Sequence, residues 1–93
     1  MLNSVRVVIG GRVQGVGYRA WTVKTATHLG VLGWVRNLSS GDVEAVFCGE
    51  QQRIENMIEE CKKGPPEARV DKIEVFAWKD DVEPGLFSAR PTV

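Results

Sequence analysis

Residues 10–21 read GGRVQGVGYRAW, with four glycines inside the first eight positions. Glycine enters left-handed backbone conformations that other residues avoid, and it weakens strands and helices alike. A chain carrying this stretch has to leave one element, turn sharply and begin another within a few residues. Before it, Val5, Val7 and Ile9 alternate as in a half-buried strand. After it, Tyr18, Thr22, Thr25, Ala26 and Leu29 share one helical face, and Gly30 supplies a C-terminal stop. The β-branched residues make that helix weak by propensity, so its support has to be tertiary.

The remaining elements follow from the same periodicities. VLGWVRN (31–37) reads as a strand, LSSG as a turn, and DVEAVFCG (42–49) as a second strand with Val43, Ala45 and Phe47 on one side. The short connection makes the two a hairpin. A helix over 51–63 has Ile54, Met57, Ile58 and Cys61 at i, i+3, i+4 and i+7. Acid stands at its start and Lys62 and Lys63 in its last turn, and Gly64 with Pro65 and Pro66 ends it. DKIEVFAWKD (71–80) is a fourth strand, and LFSAR (86–90) offers a short fifth. The order β-α-β-β-α-β predicts an α+β split β-α-β sandwich, with two helices on one face of an antiparallel sheet.

Ninety-three residues suit one domain, 1–93. The formal net charge of zero removes any bulk electrostatic reason to bind nucleic acid or an acidic membrane. No apolar stretch approaches the roughly 20 residues needed to span a bilayer. The N-terminus lacks the basic start and cleavage site of a signal peptide, so a cytoplasmic protein is expected. Cys48 and Cys61 form no CxxC pair, and His28 cannot complete a zinc site with them. Helical geometry puts Cys61 on the order of 15 Å from the start of its helix, near Cys48. Two buried thiols in a reducing compartment are therefore expected.

Several phosphate-binding patterns compete for the glycine stretch. The nucleotide P-loop, GxxxxGK[ST], fails for want of a lysine after the glycines. GVGYRA satisfies the loose dinucleotide fingerprint GxGxxA, but the chain is too short for such a domain, and the following strand ends in Asn37 instead of an acid. The underlying chemistry survives both rejections. Glycines let successive N–H groups point into one hollow, and a helix beginning just after adds unpaired N–H groups with partial positive charge. Such a cradle suits a phosphate, and Arg19 adds a planar charged fork. A plain strand-to-helix turn with a surface arginine stands beside this reading. Asn37, at the end of the strand after the first helix, is a turn former or an amide that orients water.

GRVQGVGYR and GWVRNLSSGDVEAVFCG together resemble the two signature regions of the acylphosphatase family, and the likeness runs through nearly the whole chain to LFSAR. Two separated motifs in register are far more specific than either glycine run alone. The resemblance implies a ferredoxin-like sandwich and an acylphosphatase enzyme that hydrolyses acyl phosphates to carboxylate and inorganic phosphate. It implies that Arg19 binds phosphate, that Asn37 positions water, and that the backbone of Gln14, Gly15, Val16, Gly17 and Tyr18 forms the cradle. The position before the arginine is often Phe in the family and is Tyr18 here, whose hydroxyl needs a partner. The tail PTV matches nothing interpretable.

No general base, nucleophile or metal cluster stands out, which suits an acyl phosphate, whose carboxylate leaving group needs little protonation. No cofactor and no metal are expected. The expected partners are a small acyl phosphate and inorganic phosphate as product and competitive inhibitor, with no nucleic acid, no membrane and a monomeric chain. A non-catalytic phosphate- or acyl-phosphate-binding module of the same fold is the alternative. A small RNA-binding sandwich would need basic surface and stacked aromatics; Trp21, Trp34 and Trp78 are read as packing residues.

Overall fold

The computed structural model describes residues 2–93. Its elements are β1 (Leu2–Arg12), α1 (Tyr18–Leu29), β2 (Leu32–Asn37), β3 (Val43–Glu50), α2 (Gln51–Lys63), β4 (Arg69–Ala77) and β5 (Ser88–Arg90). The sheet runs β4-β1-β3-β2-β5. β3 lies antiparallel between β1 and β2, so β1 and β2 run in the same direction with a strand inserted between them. β1 separates β3 from β4 in the same way. Both helical crossovers are thus split β-α-β units, as the element order predicts. One feature departs from the expected antiparallel sheet. β5 pairs parallel with β2, Val35 opposite Ala89: the chain crosses from β4 at the far edge and re-enters at the end where β4 finishes, so β5 runs opposite to β4 and alongside β2.

The helix-covered face holds Val7, Ile9, Val35, Val43, Ala45 and Phe47, packed against Tyr18, Ala26, Ile54, Met57 and Cys61. Leu29 and Ile58, expected on the same faces, are half-buried at the margin. α1 has no strong amphipathic pattern, and its hold is tertiary as its β-branched residues require: Tyr18, Thr22 and Ala26 are buried. Gly30 closes it in the left-handed region, with its own N–H on Thr27 O and the Val31 N–H on Ala26 O. α2 starts one residue after Glu50, whose side chain makes no capping bond, and ends where Gly64 N–H reaches Glu60 O at 2.9 Å.

The opposite face carries polar and aromatic groups. Glu44, 5% exposed, accepts from Arg6 Nε at 2.5 Å and from Arg36 Nε at 2.6 Å. Trp34 meets Trp78 edge-on at 6.1 Å, and the guanidinium groups of Arg36 and Arg90 lie 4.7 and 4.6 Å from the Trp34 ring. Trp21 instead packs beside Tyr18 at 5.2 Å. All three tryptophans are packing residues, as read from the sequence.

Register places the site. Val43 of β3 pairs with Ile9 on one side and with Asn37 on the other. Ile9 and Asn37 therefore stand level, about 10 Å apart across two strand spacings, and the loop leaving β1 lies at the same end of the sheet as the last residue of β2.

Candidate active site

The loop from Val13 to Gly17 bends into its hollow through two glycines. Gly15 has φ 74° and Gly17 φ 78°, both left-handed. A Cβ on either would meet nothing within 4 Å, so conformation and not crowding calls for glycine there. Val13 and Val16 anchor the loop by burying their side chains in the core.

Gly17 is also the N-cap of α1, and no side chain caps that end. The first intrahelical bond is Trp21 N–H to Gly17 O at 3.0 Å, which leaves the N–H groups of the first turn to a ligand. No acid sits in that turn to neutralise the positive end of the helix dipole.

A hollow of about 220 Å³ opens here, lined by Gln14, Gly15, Gly17, Tyr18, Arg19 and Asn37 among others. Six of the seven residues expected at a phosphate site thus line one cavity. Val16 is not part of the lining; its side chain faces the core and only its main chain belongs to the loop. Val13 and Ala20 also line the hollow, and sequence reasoning passed over both because neither carries polar chemistry.

Arg19 is half-buried and forms no salt bridge among the described residues. Its Nη1 donates to Arg90 O at 3.3 Å. The tail that is opaque in the sequence continues this contact: Val93 N–H donates to Asn37 O at 3.2 Å, and Ser39 N–H donates to Val93 O at 2.9 Å. The last residue of β5 therefore touches Arg19, and the tail just after it touches the main chain of Asn37. Nothing in the residue types signals this, because every one of these bonds uses main-chain atoms of Arg90 and Val93.

Tyr18 resolves the question its hydroxyl raises. The ring is 2% exposed, and its OH donates to Cys61 O at 2.6 Å. Burial first, then the neighbouring Cys61, push the phenol well above its ordinary value, so it stays neutral. Burial likewise pushes the Cys61 thiol up to about 12, partly opposed by Tyr18, which removes it as a nucleophile at neutral pH. Both cysteines are free; Cys61 is buried as expected, but Cys48 is only half-buried, since it lies on the sheet face that no helix covers. Among the described residues no three or more His, Cys, Asp or Glu gather where they could hold a metal ion. His28 is exposed at the far end of α1, away from the hollow.

The family model for acylphosphatase matches residues 5–88. The chain belongs to the acylphosphatase family. An acylphosphatase of Rhodospirillum rubrum is 47% identical over 92 residues, covering 99% of this chain and all of that protein. One of Nitrobacter winogradskyi is 54% identical over 94 residues, 95% of this chain and 94% of that protein. Among solved structures, an acylphosphatase from Coxiella burnetii superposes with a TM-score of 0.89 at 37% identity, over 96% of this chain and 93% of that one. The family fold accounts for both helices and the short fifth strand.

Proposed function

We propose that this chain is an acylphosphatase, hydrolysing small acyl phosphates to a carboxylate and inorganic phosphate. The observation that carries the reading is the make-up of the hollow: a glycine-turned main chain, an uncapped helix N-terminus, Arg19 and Asn37 line one cavity in a chain of this family. An amide beside an anion cradle is superfluous for binding alone, which favours catalysis over a binding module.

In this mechanism the loop N–H groups and the Arg19 guanidinium hold the phosphoryl oxygens. Phosphoryl transfer passes through a loose transition state with charge spread over those oxygens, so fixed donors aimed at them lower the barrier directly. Asn37 holds the attacking water in line. The new bond joins water oxygen to phosphorus, the bond from phosphorus to the acyl oxygen breaks, and the acyl group leaves with that electron pair as a carboxylate. The water's proton passes to a phosphoryl oxygen, since no side-chain base lines the hollow. A carboxylate leaves without protonation, and the reading needs no metal and no cofactor. Every group comes from one chain acting as a single domain, so a monomer suffices. Two unbridged cysteines fit a cytoplasmic setting, and no helix among the described residues is long and apolar enough to cross a membrane.

Hydrolysis of benzoyl phosphate, followed by ultraviolet absorbance with chelator present, tests all of this. Arg19→Ala should abolish turnover and competitive inhibition by phosphate together. Asn37→Ala should lower kcat about 10²–10³-fold, the scale of one lost oriented donor, with phosphate still binding. Equal loss of phosphate binding in both variants would contradict the division of roles. Activity that disappears in chelator and returns with Mg²⁺ would overturn the metal-free step.

A further inference from the structure

The Gln14 side chain does not serve the cavity whose wall it forms. Its Nε2 donates to Leu38 O at 2.8 Å and to Asp42 O at 2.8 Å. Those carbonyls close the β2–β3 turn, where Leu38 N–H also reaches Asp42 O at 2.8 Å and Gly41 N–H reaches Leu38 O at 3.1 Å. Both partners are acceptors, so only a group with two hydrogens satisfies them, and the amide spends both of its own. Leu38 directly follows Asn37. The main chain of Gln14 therefore belongs to the anion cradle while its side chain grips the turn that carries the amide across the hollow.

We propose that Gln14 is a positioning residue that sets the distance between phosphate cradle and water-orienting Asn37. The inference rests on the acylphosphatase reading above and deepens it. About 10 Å of sheet separates Ile9 of β1 from Asn37 at the end of β2, and Val43 is the last residue of β3 at this end that bridges the two strands. Beyond the ladder's end the loop and the turn are free to splay. Gln14 ties them from the loop side, as the Val93 N–H bond to Asn37 O ties the other flank. In-line attack tolerates little error, and a misplacement of about 1 Å costs about 10²-fold in rate.

The test is a double-mutant cycle of Gln14→Met with Asn37→Ala, read by kcat, KM and the inhibition constant for inorganic phosphate. Gln14→Met keeps the length of the side chain and removes both donors. It should lower kcat about 10–100-fold while KM and phosphate inhibition change less than about 3-fold. In the Asn37→Ala background the same change should cost less than about 2-fold, because its action runs through Asn37. The same loss in both backgrounds, or weakened phosphate binding in step with kcat, would show a merely structural role and overturn the proposal. Should Gln14→Met fail to fold, the wild-type protein still decides. Slow solvent exchange of the two Gln14 Nε2 hydrogens in nuclear magnetic resonance supports the tie, and fast exchange of both refutes it. A wild-type chain inert toward benzoyl phosphate sinks the hydrolase reading itself, whereas an active chain with the wrong cycle sinks only the role of Gln14.

Discussion

Arg19 and the pair Arg6 and Arg36 carry the same guanidinium into opposite surroundings. Arg6 and Arg36 close on the two oxygens of Glu44 on the open face of the sheet, and Phe76 and Trp34 lie against their planes. Their donors and charge are spent within the fold. Arg19 stands at the mouth of an uncapped helix, touches no carboxylate among the described residues, and holds only the carbonyl of Arg90. A main-chain carbonyl orients a guanidinium without neutralising it. The difference teaches how one small sheet separates structure from function: an arginine with an acidic partner is mortar, and an arginine held by a neutral acceptor remains available to an anion.

The sharpest way to break that comparison is Arg19→Lys. Lysine keeps the positive charge and loses the planar fork, so charge alone predicts retained activity and bidentate recognition predicts loss. Turnover of benzoyl phosphate should fall by about 10²-fold or more, while the melting temperature stays within about 2 °C of wild type, since no folded partner is lost except one long bond to a carbonyl. Activity within a few-fold of wild type would mean that the cradle needs only a point charge.

The second test works on the other arginines. Glu44→Gln leaves two guanidinium groups with one amide between them. Removing one partner of a well-buried ion pair costs about 3–5 kcal/mol. Arg6 and Arg36 are 31% and 26% exposed, so water recovers part of that, and the expected loss is about 1–3 kcal/mol with hydrolysis little changed. For a domain of this size this lowers the melting temperature by on the order of 10 °C. Burial alone would push the Glu44 carboxyl up, but the hydrogen bonds and charges of Arg6 and Arg36 more than reverse it and hold it below its ordinary value of 4.5. A group depressed in the folded state lends stability that is complete above that ordinary value and fades as pH falls through the folded one. The gap in melting temperature between wild type and Glu44→Gln should therefore be constant from neutral pH down to about 5 and shrink below that. A gap that widens in acid would reverse the assigned sign.

How much of this was legible beforehand depended on the range of the interactions. α2 is readable from Ile54, Met57 and Cys61 because a 3.6-residue period reports burial on one face, and its observed bounds match the expected ones. That Arg19 and Asn37 line one hollow was readable because each lies in one of the two local motifs that carry the family resemblance. Gln14 was legible as part of the cradle's main chain, but the reach of its side chain was not. Its two bonds reach carbonyls 24 and 28 positions away, and a carbonyl has no residue type to betray it. Alternation in β3 sets Glu44 opposite Val43 and Ala45 without saying what covers it; only strand order brings Arg6 and Arg36 to either side. The parallel pairing of β5, its contact with Arg19 and the reach of the tail to Asn37 were invisible for the same reason.

The smallest expected effect guards the comparison against a simpler account based on distance. Lys62 Nζ lies 2.6 Å from Glu59 Oε2, as close as Arg36 lies to Glu44, but those side chains are 55% and 66% exposed. Water screens such a pair, and ordering two long side chains offsets most of the attraction. Glu59→Gln should shift the melting temperature by less than about 2 °C, and raising the salt concentration should erase even that. If Glu59→Gln and Glu44→Gln destabilise the protein equally, separation governs and burial does not. The contrast between Arg19 and its two counterparts would then have to rest on the identity of the acceptor alone. A small shift at Glu59 beside a large one at Glu44 ties the structural use of arginine to a buried carboxylate, which the mouth of α1 lacks.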